Sequence, residues 1–252
     1  MSRLTKNDVA WEAIFRDFPI LKKVDSIGRY YITADTINVY REARLMAKFD
    51  SYHELPKIMK KNNLYIISVA NGTYAITRHS PFITVPSLES KKLYPVKFMT
   101  GLATLDYYKD REITKESTAL NIATYNNILS DAFGEKINLT IHDMHRASLQ
   151  FKLFGMDFDV DKTQVDIDGC YEGAHAVHVI EAKVGAITNT NIRQLLYPKR
   201  MIEQTYITSN KPVNAWLLNY TGSDKIFRVY KFVDDADNFR FDIEQSKRYI
   251  LK

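Results

Sequence analysis

Apolar positions in the first eighty residues form two helical runs and one strand pair. Over residues 38–49 they recur at helical spacing, with Val39, Ala43 and Met46 on one face, and Asp50-Ser51 ends the run. Pro56 suits the first turn of a second helix, where a missing amide hydrogen is harmless. That helix carries Lys57, Lys60 and Lys61 beside Ile58 and Met59. Residues 65–69 and 73–77 read as strands, and Asn71-Gly72 between them is a tight hairpin turn. Helix, turn, basic helix, hairpin is the order of a winged helix-turn-helix. In such a module the second helix enters a major groove and the hairpin lies along the backbone. The competing reading is a small helix-plus-hairpin subdomain with solvated lysines.

Ser80-Pro81, Val85-Pro86-Ser87 and the polar run Glu89-Ser90-Lys91-Lys92 then interrupt the apolar pattern. This divides the chain into a winged-helix-like module over residues 1–90 and a second domain over 91–252. In the second, residues 117–133 read as one helix. Ser117 is its cap, Ile122, Tyr125, Leu129 and Phe133 share a face, and Gly134 is its stop. Strand patterns follow from Ile137 through Phe154. A hairpin spans 164–183, and a helix spans 188–205 with Asn189 or Asn191 as cap and a bend at Pro198. Further strands fall at 213–220, 226–233 and near 239–243. Strands interleaved with helices imply an α/β (α+β) fold, a mixed sheet flanked by helices.

Composition narrows the class without naming it. With 252 residues, 45% hydrophobic and 26% charged, the chain can build one large core or two modest ones. A net charge of +5 is compatible with a polyanionic partner. The single cysteine, Cys170, excludes an internal disulfide and suits a reducing compartment. The sequence has no run long enough to span a membrane and no signal-peptide core at its start, so a cytoplasmic location is expected.

The chemistry gathers in the hairpin. Side chains alternate along a strand, so Asp166 and Asp168 face one way on the first strand, and Glu181 and Lys183 share a face on the second. Residues 176–180 are apolar except for His178, as in a central strand, yet the run ends in an acid and a base. Buried strands avoid such charges unless they have a partner or a task. Phosphodiester hydrolysis is such a task. Adjacent carboxylates repel each other and a divalent cation relieves the repulsion; Mg2+ takes hard oxygen ligands, retains waters and acidifies one of them. A nearby lysine can orient that water and offset charge in the transition state. A bare Glu-x-Lys is uninformative, and Glu89-Ser90-Lys91, in a polar linker with no apolar strand before it, reads as a solvated loop.

Other readings are weaker. Cys170, His175 and His178 are potential zinc ligands, but they lack a fourth partner and the strand phase turns His178 away from Glu181. Glu116 either approaches the acids from the upstream helix or simply favours that helix's N-terminus. Arg146 and Lys152 are isolated basic residues of the kind that face solvent.

Ile180-Glu181-Ala182-Lys183, preceded by the acidic hairpin strand and followed by Arg193-Gln194-Leu195-Leu196-Tyr197-Pro198, resembles type II restriction endonucleases of the PD-(D/E)XK nuclease superfamily. The resemblance covers most of the chain after Ser117 and, more loosely, residues 10–77. It implies a PD-(D/E)XK core with the acid and the E-x-K on adjacent strands, and a winged-helix-like region before it. It also implies Mg2+-dependent cleavage of double-stranded DNA that leaves 5′-phosphate and 3′-hydroxyl ends. Asp168 and Glu181 would then hold the metal, Lys183 would position the water, and Gln194 would face the site. Asp166 and Asp168 are both available as the metal-holding acid of the first strand. Lys57, Lys60, Lys61 and Arg193 are the candidate DNA contacts. A homodimer would match a palindromic site, and a cognate DNA methyltransferase is expected in the same system. A structure-selective repair or junction-resolving nuclease would use the same residues. A DNA-binding regulator would carry the fold with the chemistry lost.

Overall fold

The computed structural model describes residues 4–109, 111–141, 147–163, 165–206, 210–235 and 237–252. The chain opens with α1 (Lys6–Asp17) and α2 (Ile20–Ile27), then β1 (Arg29–Thr33), α3 (Ala34–Asn38), α4 (Ala43–Ala47) and α5 (Lys57–Lys61). Strands β2 (Tyr65–Ala70), β3 (Thr73–Thr77), β4 (Phe82–Thr84) and β5 (Leu93–Val96) precede α6 (Ala103–Tyr108), α7 (Glu116–Tyr125) and α8 (Ile128–Phe133). Then come β6 (Leu139–Thr140), β7 (Ala147–Leu153), β8 (Met156–Thr163), β9 (Gly169–Glu172), β10 (Val177–Val184) and β11 (Asn189–Asn191). Helix α9 (Arg193–Thr205) and strands β12 (Val213–Thr221), β13 (Ile226–Asp235) and β14 (Asn238–Leu251) complete the order. It is a mixed α/β protein, and no helix among the described residues is long and apolar enough to cross a membrane.

Two compact units emerge. The first comprises residues 1–83, 146–164 and 189–191, and the second comprises 84–145, 165–188 and 192–252. The chain therefore passes between them several times, where the sequence suggests one division at residue 90.

In the first unit, α1 starts at a capping box. Thr5 accepts the Asp8 amide while Asp8 accepts the Thr5 amide at 2.8 Å. Residues 38–49 are not the single helix their spacing suggests: α3 ends at Asn38 and α4 spans only Ala43–Ala47. Asn38 accepts the Ala43 amide at 2.7 Å, a local bond that competes with helix continuation, and Val39 is left 80% exposed. Pro56 is the N-cap of the next helix, which starts at Lys57, and 65–77 is a hairpin with Gly72 at φ +67°. The sheet order is β1-β3-β2-β8-β7. Trp11, Ile14, Ile37, Met46, Met59 and Ile76 form the centre of the core beside it.

The second unit is built on a mixed sheet of order β5-β14-β13-β12-β10-β9-β6. Strands β10 and β12 are parallel neighbours, with α9 between them in the chain, while β9 runs antiparallel to β10. Ile180, Ala182, Trp216 and Leu218 turn to one face and meet Ala119, Leu120, Ala123 and Leu129 of α7 and α8. Residues 117–133 break at Asn126-Asn127, where Asn127 is left-handed (φ +60°) and Asn126 accepts the Met99 amide at 2.6 Å. As a result Tyr125 is exposed and Ser117 caps nothing, since Lys115 stands at the N-cap; Gly134 does stop α8. Helix α9 begins later than its periodicity suggests, because Asn189 and Asn191 cap no helix. Asn189 accepts the Tyr52 amide at 2.7 Å, and Asn191 donates to the Phe49 carbonyl at 2.8 Å. Pro198 lies buried inside α9, and β14 runs well past the strand read near 239–243.

Candidate active site

Strand β10 is the axis of the site. Its even positions enter the core beneath α7, and its odd positions carry Val177, Val179, Glu181 and Lys183 on the other face. The hairpin strand before it is shorter than its alternation suggests. It begins at Gly169, so Asp166 and Asp168 lie in the segment leading into it and strand phase does not orient them. Registry does the work instead. Gly169 pairs with Ile180, which sets Asp168 beside Glu181, and Asp168 Oδ2 accepts the Ala182 amide at 2.7 Å. Asp166 stays exposed. Gln164 and Arg146 lie outside the described residues.

Glu181 is the convergence point. Its Oε1 accepts from Lys183 Nζ at 2.5 Å and from Gln194 Nε2, on the first turn of α9, at 2.6 Å. Lys183 Nζ also lies 3.5 Å from Glu116 Oε1 at the start of α7, so the upstream glutamate does reach this cluster. Burial pushes the Glu181 carboxyl up to about 7, and the Asp168 charge adds to the rise against the pull of Lys183. Asp168 is also raised by burial, opposed by the Ala182 amide and Lys183 and reinforced by Asp166.

Asn219, buried on β12 opposite Lys183, was not singled out by its sequence context. It donates to the carbonyls of Lys183 at 3.2 Å and Gly185 at 2.9 Å, so it fixes the strand end that carries the lysine. Its one sequence signal is a polar amide inside the apolar run 215–220.

The zinc candidates separate. Cys170 pairs in register with Val179 and His178 with Tyr171, which puts them on opposite sheet faces. Burial pushes the Cys170 thiol up to about 12. His178 is a packed core histidine: Nε2 lies 2.9 Å from Glu135 Oε1, Trp216 Nε1 donates to Nδ1 at 3.0 Å, and Phe133 stacks on the ring. Burial holds its pKa below the usual imidazole value. Among the described residues no group of three or more His, Cys, Asp or Glu is arranged as a metal cage.

The remaining candidates spread over both units. Lys57 and Lys61 are exposed on α5, and Lys60 donates to the His53 carbonyl at 2.7 Å. Arg193 opens α9 half-buried, and Tyr197 is buried, its hydroxyl pushed well above the ordinary range. Lys152 faces Asp157 at 3.6 Å across an exposed hairpin. Glu89 differs from the solvated loop residue its context suggests, since it ties Arg228 at 2.9 Å and Arg248 together.

Residues 77–250 match the family described as Domain of unknown function (DUF6997), and residues 8–76 match Domain of unknown function (DUF6996). No curated protein and no solved structure matches the chain. The longer match covers well over half of the sequence, and the chain belongs to the DUF6997 family.

Proposed function

We propose that this DUF6997 member is a Mg2+-dependent endonuclease with a PD-(D/E)XK core, acting on double-stranded DNA as a type II restriction enzyme. The observation that carries the reading is the meeting of Asp168, Glu181, Lys183 and Gln194 at the end of one central strand.

The donor set suits magnesium. Glu181 is buried, and its burial together with the charge of the more exposed Asp168 beside it holds its proton to about pH 7. A small hard cation that keeps most of its waters needs only one or two carboxylates from a protein, so a closed cage is not required. Asp168 and Glu181 would hold it, with Asp166 as the next acid along the chain. When bound, such an ion supplies an acidified water and stabilises charge on the scissile phosphate.

The chain's own groups do the rest. Gln194 fixes the Glu181 carboxylate by donating to Oε1. Asp168 is held by the Ala182 amide. Lys183, whose ammonium bonds Glu181 Oε1, would orient the attacking water and offset negative charge as the phosphorus–oxygen bond breaks. The leaving 3′-oxygen takes a proton from solvent, giving 5′-phosphate and 3′-hydroxyl ends. Parallel β10 and β12 with α9 between them, and β9 antiparallel on the other side, support the nuclease core. The order α2, β1, α3, α4, α5, β2, β3, with β1 pairing β3, supports a winged-helix reading of the first unit, with α5 supplying Lys57, Lys60 and Lys61. Arg193 stands next to Gln194, where the scissile strand would pass. A homodimer on a palindrome and a partner methyltransferase in the same cytoplasm belong to this reading.

The test is incubation with plasmid and phage DNA in magnesium. The expected result is discrete fragments, with a rate loss on the order of 10²–10³-fold or more for Lys183→Ala and none formed in chelator. A smear or cutting confined to branched DNA would point to a structure-selective nuclease. Tight duplex binding with no cutting by the wild type would overturn the catalytic reading.

A further inference from the structure

A cavity of about 440 Å³ flanks the acid–lysine cluster, within the same unit and on the same face of its sheet. Register places it there. Lys183 pairs with Asn219 and Asn219 with Arg228, while Glu181 pairs with Leu217 and Leu217 with Tyr230. Asn219 and Tyr230 therefore share the face of Glu181 and Lys183. Residues 84–88 and 186–188 form the sides, joined where the Val85 amide donates to the Thr188 carbonyl at 3.0 Å. Leu88, Asn219 and Tyr230 are buried at the floor, Val85, Pro86 and Ile187 are half-buried in the walls, and Ala186 is exposed at the rim.

Two polar groups at that floor lack a protein partner. Asn219 is 3% exposed and Tyr230 2%. The Asn219 amide nitrogen donates to two carbonyls, those of Lys183 and Gly185, which fixes the amide orientation. Its Oδ1 is left as an acceptor with no donor among the described residues. The Tyr230 hydroxyl likewise meets no hydrogen-bond partner among them, and burial pushes it up to about 12, so it keeps its proton and can donate. Native structures seldom leave buried polar groups in this state without a role for them.

The charges nearby cancel. Arg228 meets Glu89 at 2.9 Å and Asp224 at 2.8 Å, and Glu89, whose charge reaches Tyr230, also binds Arg248. Two arginines answer two carboxylates, so the cavity suits an uncharged ligand. An acceptor and a donor on neighbouring strands, set between apolar walls, match the pairing edge of a nucleobase, where an N–H stands beside a carbonyl or a ring nitrogen. The volume lies within the roughly 300–1,000 Å³ of small-molecule sites. Asn219 both lines the cavity and holds the Lys183 carbonyl, which favours a base still attached to a strand lying over the cluster.

We propose that this cavity receives one unpaired or flipped-out base of the DNA substrate and so anchors the strand beside the acid–lysine cluster. The proposal rests on the nuclease reading and adds a preference to it. A base that is already unpaired enters without first being pulled from the stack.

The experiment uses the full chain in chelator, where cleavage is silent. Two labelled duplexes of one sequence are compared by fluorescence polarisation, one fully paired and one carrying 2-aminopurine opposite an abasic site. The wild type should prefer the second by about tenfold or more, and 2-aminopurine emission should rise as the base leaves the stack. Ala186→Trp, which plugs the rim, should lose that preference and keep its affinity for the paired duplex. Tyr230→Phe removes only the unpartnered hydroxyl, so it should cut the preference several-fold with its melting temperature unmoved. A preference that is equal in the wild type and Ala186→Trp overturns the proposal. A wild type that cuts DNA in magnesium yet shows no preference overturns the pocket alone. A wild type that binds neither duplex and cuts nothing overturns the nuclease reading, and the pocket with it.

Discussion

Glu181 holds a proton at pH values where a free glutamate has lost it, and this follows from its burial beside Asp168. Its carboxyl titrates near 4.5 in the unfolded chain and near 7 in the folded one. The proton therefore favours the folded state fully below about pH 4.5, and that contribution is lost as pH rises through 7. Above that, the fold carries a buried carboxylate answered only in part by Lys183. Glu181→Gln keeps the shape without the charge, so it should gain on the wild type by on the order of 2 kcal/mol at pH 8 and lose that gain at pH 4. Millimolar magnesium should raise the wild-type melting temperature more at pH 8 than at pH 6, since the cation competes with the proton, and should leave Glu181→Gln unmoved. Thermal melts across that pH range check both statements. A gap between the two proteins that is constant with pH would remove the carboxyl as its source. The chemistry of Glu181 and Lys183 was legible from two charges ending an apolar run. That Gln194 and Glu116 would join them depended on where α7 and α9 begin, which the sequence spacing alone left open.

The turn joining β9 to β10 is held by one carboxylate. Glu135 accepts the His175 amide at 2.8 Å through Oε2 and meets His178 Nε2 at 2.9 Å through Oε1. Gly173 leaves room for it, because a Cβ there would lie 2.2 Å from the Glu135 carboxyl carbon. Gly173→Ala must therefore displace the carboxylate and leave buried His178 short of a partner. The expected loss is about 1–3 kcal/mol in urea denaturation. Stability equal to the wild type would mean that the carboxylate can move without consequence. Elements with local causes were readable in advance: the 65–77 hairpin from Asn71-Gly72, the end of α8 from Gly134, the start of α5 from Pro56. Elements whose ends depend on remote partners were not. The Asn126 side chain ends α7 by turning to the Met99 amide and the Ile122 carbonyl. Asn189 and Asn191, good caps by residue type, bond Tyr52 and Phe49 instead.

At the scale of the whole molecule, composition shifts and prolines mark where one unit's first segment ends, but they do not reveal that the chain returns. Strands β7 and β8 come from the middle of the sequence and extend the first unit's sheet, with Ala70 of β2 paired to Asp159 of β8. Their inward residues, Leu149, Leu153, Met156, Phe158 and Val160, are as apolar as a strand of either unit, so periodicity cannot assign them. A fragment cut at residue 90 therefore lacks a hairpin of its own fold and leaves β2 as an open edge. Unpaired edges recruit other chains. The fragment 1–90 should self-associate, and a version with residues 147–163 rejoined through a flexible linker should be monomeric and melt at a higher temperature. Size-exclusion chromatography and thermal melts compare the two. If the bare fragment is monomeric and melts with the rejoined form, the hairpin adds nothing to the first unit, and its place in that sheet is incidental to folding.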